Sequence, residues 1–127
     1  MSPSLESTPE QTAALVARPA DERVVMINLL QFSADGGRQS YIRYTHEVTP
    51  HLQWVGGIVR FAGAAPSVVI GEGEKPWWEA IVVVEYPSPA AFRDMVSNEE
   101  YLKVHERRAA GLDRGDLIAT SIWTVAD

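Results

Sequence analysis

Hydrophobic and polar positions along this chain follow two rhythms, and the densest apolar stretch is AIVVVEYP at residues 80–87. Five apolar residues in a row, three of them valine, predict a strand covered on both faces. β-Branched side chains suit a pleated, packed surface. Pro87 cannot donate to a ladder and ends the strand. Ser88 then acts as N-cap and Pro89 as the first residue of a helix over 88–96, with Phe92, Met95 and Val96 inward. A strand buried on both sides belongs in the middle of a sheet.

Residues 23–32 (RVVMINLLQF) predict a second core strand. Val25, Ile27 and Leu29 share one face; Val24, Met26, Asn28, Leu30 and Phe32 share the other. After a turn at 34–37, residues 39–55 predict a helix with Tyr41, Tyr44, Thr45, Val48, Leu52 and Val55 on its inward stripe. Pro50 lies nearly opposite that stripe, and His46 and His51 lie off its centre. Gly56-Gly57 ends the helix. Residues 58–70 predict strand interrupted at 64–66, either one bulged strand or two segments. A turn at 71–76 leads into a strand over 77–86.

Ser97-Asn98-Glu99-Glu100 reads as a capping box that opens a further helix, with Leu102, His105, Ala109 and Leu112 on one face. Gly111 and Gly115 bracket its exit. Residues 117–125 predict the last strand, with Trp123 near its end. Close to the N-terminus, Thr8-Pro9-Glu10-Gln11 is another capping box, for a short helix that stops before Pro19. Leu15 and Val16 are its large apolar residues, so it reads as an appendage packed on the domain.

These elements divide the chain into a tail with a short helix (residues 1–22) and one domain (residues 23–127). Their order predicts an α+β, ferredoxin-like βαββαβ fold. Four antiparallel strands carry both main helices on one face, with the first and third strands central. The helix-free face then stays apolar over an area larger than monomers usually expose. The expectation is a homodimer, joined sheet to sheet through that face.

Composition narrows the function classes. With 127 residues the chain can bury a core of its own. Seventeen acidic against eleven basic residues give a net charge of −6, which argues against nucleic acid as a partner. The absence of cysteine removes disulfides, thiolate metal sites and a cysteine nucleophile, and accords with a cytoplasmic location. No stretch has the ~20 apolar residues of a membrane span, and the first 18 residues lack the pattern of a signal peptide. No phosphate-binding glycine loop, nucleophile elbow or zinc-binding helix motif is present. The expectation is therefore no cofactor and no metal.

Asn28-Leu29-Leu30-Gln31-Phe32 resembles the strand signature of the domain of unknown function 1330 family. The helix with Tyr41, Tyr44 and Pro50 resembles it too, as do Gly56-Gly57, Glu85-Tyr86-Pro87-Ser88 with Phe92, residues 97–101, and Arg108-Ala109-Ala110. The resemblance covers residues 23–125. The N-terminal helix and the pair Trp77-Trp78 depart from the pattern. The resemblance implies a dimeric α+β barrel. The wider superfamily includes cofactor-free monooxygenases, polyketide cyclases, lactone isomerases, haem-degrading enzymes and structural members, so it supplies a menu of activities. No histidine here is singled out as a haem ligand.

Several residues carry candidate chemistry. His105, on an apolar helix face, is a candidate general base; the plainer alternative is a core histidine bonded to a carbonyl or carboxylate. His46 beside Tyr44 is a rival base-and-acid pair, with a solvated surface histidine as the alternative. Asn28 in an apolar strand would orient a ligand carbonyl or else bond to neighbouring backbone. Arg108 would anchor a carboxylate or else pair with Glu85 to tie helix to sheet. Tyr41, Tyr44, Trp54, Trp77, Trp78 and Trp123 would line an aromatic-binding cavity or serve as core and interface. Two functions follow. One is a cofactor-independent enzyme of isomerase, cyclase or monooxygenase type, acting on a small carbonyl or aromatic metabolite. The other is a non-catalytic dimeric module that binds a small molecule or serves a structural role.

Overall fold

A computed structural model describes residues 6–124. The elements run α1 (Pro9–Val16), β1 (Val24–Phe32), α2 (Gly37–Val55), β2 (Ile58–Ala64), β3 (Ala80–Tyr86), α3 (Pro89–Val96), α4 (Glu99–Gly111) and β4 (Leu112–Thr120). The strands form one antiparallel sheet in the order β2-β3-β1-β4. This is the ferredoxin-like arrangement, and the two most apolar runs occupy its centre.

Register assigns the faces, because directly paired residues point the same way. Val24, Met26 and Leu30 of β1 are buried beneath the helices, together with Ala80, Val84 and Tyr86 of β3. Tyr41, Tyr44, Val48 and Leu52 of α2 close over them, with Ala91 and Met95 of α3. The opposite face has no helix. It carries Ile27, Leu29 and Val83 on the central strands, with Ile58, Phe61 and Ile118 exposed on the outer ones.

Caps decide where the helices start. The Thr8 hydroxyl accepts from Gln11 N and the Gln11 side chain accepts from Thr8 N, completing the box. Ser88 caps α3 by accepting from Ala91 N. The later capping box differs from expectation. Asn98, not Ser97, caps α4, its Oδ1 accepting from Glu100 N at 2.8 Å and Tyr101 N at 3.3 Å. A short asparagine amide reaches two successive N–H groups, whereas Ser97 finishes α3.

Other boundaries also move. The strand expected over 58–70 stops at Ala64, because Ala65 adopts a left-handed φ of 55° and Pro66 follows. The strand expected from Trp77 begins only at Ala80. The last strand runs Leu112–Thr120 rather than over 117–125: residues 121–124 are not strand, and Val125 lies outside the described residues. The buried face of α4 is Tyr101, Val104, Arg108 and Gly111, while Leu102 is exposed. Leu112 belongs to β4, so it cannot share that helical face.

Glycine explains the change of face. A Cβ on Gly111 would sit 2.7 Å from the Gly37 carbonyl oxygen and 3.0 Å from Tyr41 N. Backbone meets backbone where α4 ends against the start of α2, and the Gly111 carbonyl accepts from Ser33 N at 2.9 Å. Gly111→Ala is expected to destabilise by about 3 kcal/mol, the upper end of overpacking costs. Urea denaturation checks this; unchanged stability would show that the two backbones can separate cheaply.

Candidate functional site

Between the helical layer and the sheet lies a cavity of about 940 Å3. Its floor comes from β1, β3 and β4, and its walls from α2, α3 and α4. α1 contributes Gln11, Ala14 and Leu15 to one side, and Arg18 after it donates to the Ala119 carbonyl and Ser121 Oγ, both at 3.0 Å. The N-terminal helix is thus a wall of the cavity as well as an appendage. A second, shallower groove of about 510 Å3 runs between α2 and α4, spanned by the 2.7 Å Glu47–Arg107 ion pair.

All four tyrosines of the chain line the larger cavity: Tyr41, Tyr44, Tyr86 and Tyr101. The Tyr44 and Tyr101 hydroxyls are hydrogen-bonded at 3.1 Å. The Tyr41 and Tyr44 rings pack at 5.3 Å, and Tyr86 meets Phe92 edge-on at 5.4 Å. Burial raises the pKa of every one of these phenols, most strongly at Tyr44 and Tyr86, while the Arg108 guanidinium pulls each down in part. The phenols are therefore neutral hydrogen-bond donors at ordinary pH.

Arg108, in the last turn of α4, is 7% exposed. Its Nη2 donates to Asn28 Oδ1 over 3.5 Å, and its charge acts on the neighbouring Tyr41 phenol. Asn28 Nδ2 in turn donates to the Val82 carbonyl at 3.1 Å. Asn28 therefore bonds to neighbouring backbone, the plainer of its two expected roles, while its oxygen receives the guanidinium. His105 also borders the cavity, with Nε2 3.0 Å from Glu6 Oε1.

The expected Glu85–Arg108 pair does not form. Strand alternation puts Glu85 on the helix-free face, where it meets Arg60 at 3.0 Å and Arg23 at 3.7 Å. The suggested His46–Tyr44 pairing also fails: Tyr44 points inward to Tyr101, and His46 is exposed on α2 away from the cavity. Of the six aromatic residues named, only Tyr41 and Tyr44 line the cavity. Trp54 and Trp123 are exposed, and Trp77 stacks under the Arg114 guanidinium at 3.8 Å. Sequence reasoning missed Tyr86 and Tyr101. The strand alternation that removes Glu85 would have placed Tyr86 on the helical face, and Tyr101 lies seven residues before Arg108 on the same side of α4.

No group of three or more metal-binding side chains occurs among the described residues. No helix among them is long and apolar enough to cross a membrane.

A family model described as Domain of unknown function (DUF1330) matches residues 34–121. The match begins after the signature at residues 28–32. No curated protein matches the chain. Among solved structures, RPA0582, a protein of unknown function from Rhodopseudomonas palustris, is 24% identical. That match covers 94% of this chain and 97% of that one, with a TM-score of 0.82. In its methylated form the match covers all of both chains, with a TM-score of 0.85, so the segment carrying α1 has a counterpart there. A hydroxynitrile lyase from Passiflora edulis is 9% identical over 83% of this chain and 97% of its own, with a TM-score of 0.64. A dimeric ferredoxin-like protein of unknown function from Jannaschia is 10% identical over 79% and 99%, with a TM-score of 0.61. At these identities the likeness is one of fold.

Proposed function

The chain belongs to the family described as Domain of unknown function (DUF1330), and we propose that it is a cofactor-independent enzyme for a small carbonyl or aromatic metabolite bound in the tyrosine-lined cavity. The reaction class is proton transfer, as in an isomerase, cyclase or lyase. The observation that carries this reading is the hydrogen-bonded pair of neutral phenols, Tyr44 and Tyr101, on the cavity wall. Such a pair can donate to an oxygen on which charge develops. His105 borders the same space and supplies the base, its ring oriented by Glu6. Asn28 is a positioning residue that holds Arg108. The functional unit is a homodimer that covers the helix-free sheet face; the Jannaschia neighbour, itself a dimer, shares the fold.

Screening small ketones, phenols and lactones by protein-observed NMR, then following their turnover, tests the assignment. Tyr101→Phe is expected to lower turnover about 10²- to 10³-fold, the usual effect of removing one such donor, with binding changed far less. A ligand bound equally by wild type and variant, with no turnover by either, would favour the non-catalytic module. One observation supports that second reading. Every buried side-chain nitrogen and oxygen among the described residues already has a hydrogen-bond partner, as a purely structural core requires.

A further inference from the structure

Among the described residues, the charge of Arg108 has no counter-charge. Seven ion pairs are formed among the described residues, and none includes Arg108. Its hydrogen-bond partner is the Asn28 amide oxygen and its neighbour is the Tyr41 phenol, both neutral. The carbonyl end of α4 supplies only a fraction of a negative charge. Burying a cation without an anion is costly. Among the described residues, Glu6, the carboxylate at the cavity rim, bonds with His105, while Asp116 pairs with Leu29 of the helix-free face in the sheet register and with Arg114 as an ion pair at 3.2 Å. Arg18, the other arginine bordering the cavity, is taken up by Glu22 and the β4 end.

We infer that the ligand of this cavity is a monocarboxylate with an apolar body, its carboxylate seated on Arg108. This rests on the proposed small-molecule site and names its substrate class. A guanidinium offers a planar fork that matches a carboxylate and is less suited to a single carbonyl oxygen. One uncompensated cation calls for one negative charge. Met26, Val48, Leu52, Val84 and Met95 make the remaining wall apolar, and the cavity volume suits a molecule of metabolite size. The neutral phenols beside Arg108 can donate to the same carboxylate.

The test compares benzoate, phenylacetate and octanoate with their amides, by isothermal titration and NMR shift perturbation on the full chain. Carboxylates are expected to bind at least tenfold more tightly than the matched amides, with shifts at Tyr101 and Met95. Arg108→Gln should abolish that preference, and Arg108→Lys should retain part of it. Should Arg108→Gln not fold, the Arg108 guanidinium resonances of the wild type give an independent readout. They should shift and exchange more slowly with carboxylate and stay unchanged with amide. Equal binding of acids and amides at the cavity, or a preference that survives Arg108→Gln, would overturn the inference and leave the site standing. No shifts at the cavity with any acid or amide would overturn the inference and the small-molecule site together.

Discussion

Phe61→Asp and Ile118→Asp are each expected to convert the proposed dimer to a folded monomer. Phe61 is 57% exposed and Ile118 45% exposed on the helix-free face of the single chain. The isolated fold therefore tolerates a carboxylate at either place. In a two-fold, sheet-to-sheet dimer each substitution buries two charges, one per protomer, in an apolar layer with no partner. The cost is several kcal/mol, equivalent to at least about a 10³-fold loss of dimer affinity. Ile42→Asp is the control, since Ile42 is 49% exposed on the outward side of α2. Sedimentation velocity separates the outcomes. If both face variants remain dimers with wild-type affinity, this face is not the interface, and if Ile42→Asp dissociates the dimer, the helices form it.

The second large effect is on alkaline stability. Each of the four phenols has its pKa raised in the folded protein from an ordinary value near 10.0. Below pH 10 the phenols are protonated in both states, and their contribution to stability is complete. As pH rises above 10, the unfolded chain loses protons that the native chain retains, so stability falls. The limiting slope is about 1.4 kcal/mol per pH unit for each phenol. Four phenols acting together steepen the loss, and Tyr44 and Tyr86, the two raised most, keep it running furthest above pH 10 against a typical stability of roughly 5–15 kcal/mol. Absorbance at 295 nm should show little phenolate until a cooperative transition that coincides with loss of the far-UV circular dichroism. No tyrosine lies outside the cavity to blur the signal. A smooth titration centred near pH 10 with native dichroism would show that the phenols are open to water.

Some of the site was within reach of a one-dimensional reading, and some was not. Asn28 stands out because a polar residue in an otherwise apolar strand must bond to something. Arg108 is harder to see, because arginine in a helix is usually solvated and its neighbour Arg107 looks identical. α4 packs with Gly111 against Gly37, and in that packing Arg108 faces inward and Leu102 outward. The helical pattern taken from Leu102, His105 and Ala109 followed hydrophobicity, whereas the fold followed the available space. Glu85 illustrates the reverse case. Period-two alternation already separates it from Tyr86, and a pairing with Arg108 across the sheet contradicts that alternation.

Local chemistry determined much of the framework. Continuous apolar runs made β1 and β3 central, hydroxyl-and-proline pairs started α1 and α3, and the element order led to a ferredoxin-like sheet with a bare apolar face. These features depend on residues close in sequence, whose propensities and side-chain periods act without knowledge of the rest of the chain. Tertiary structure decided the remainder. β4 begins at the polar run Leu112-Asp113-Arg114-Gly115 because β1 offers it a ladder, through pairs such as Leu30 with Gly115. The cavity exists because α1, α2, α3 and α4 stand on one side of the sheet and bring Tyr44 to Tyr101, 57 residues away, and Arg108 to Asn28, 80 residues away. Contacts at such separations are set by how backbones pack, and no local pattern encodes them.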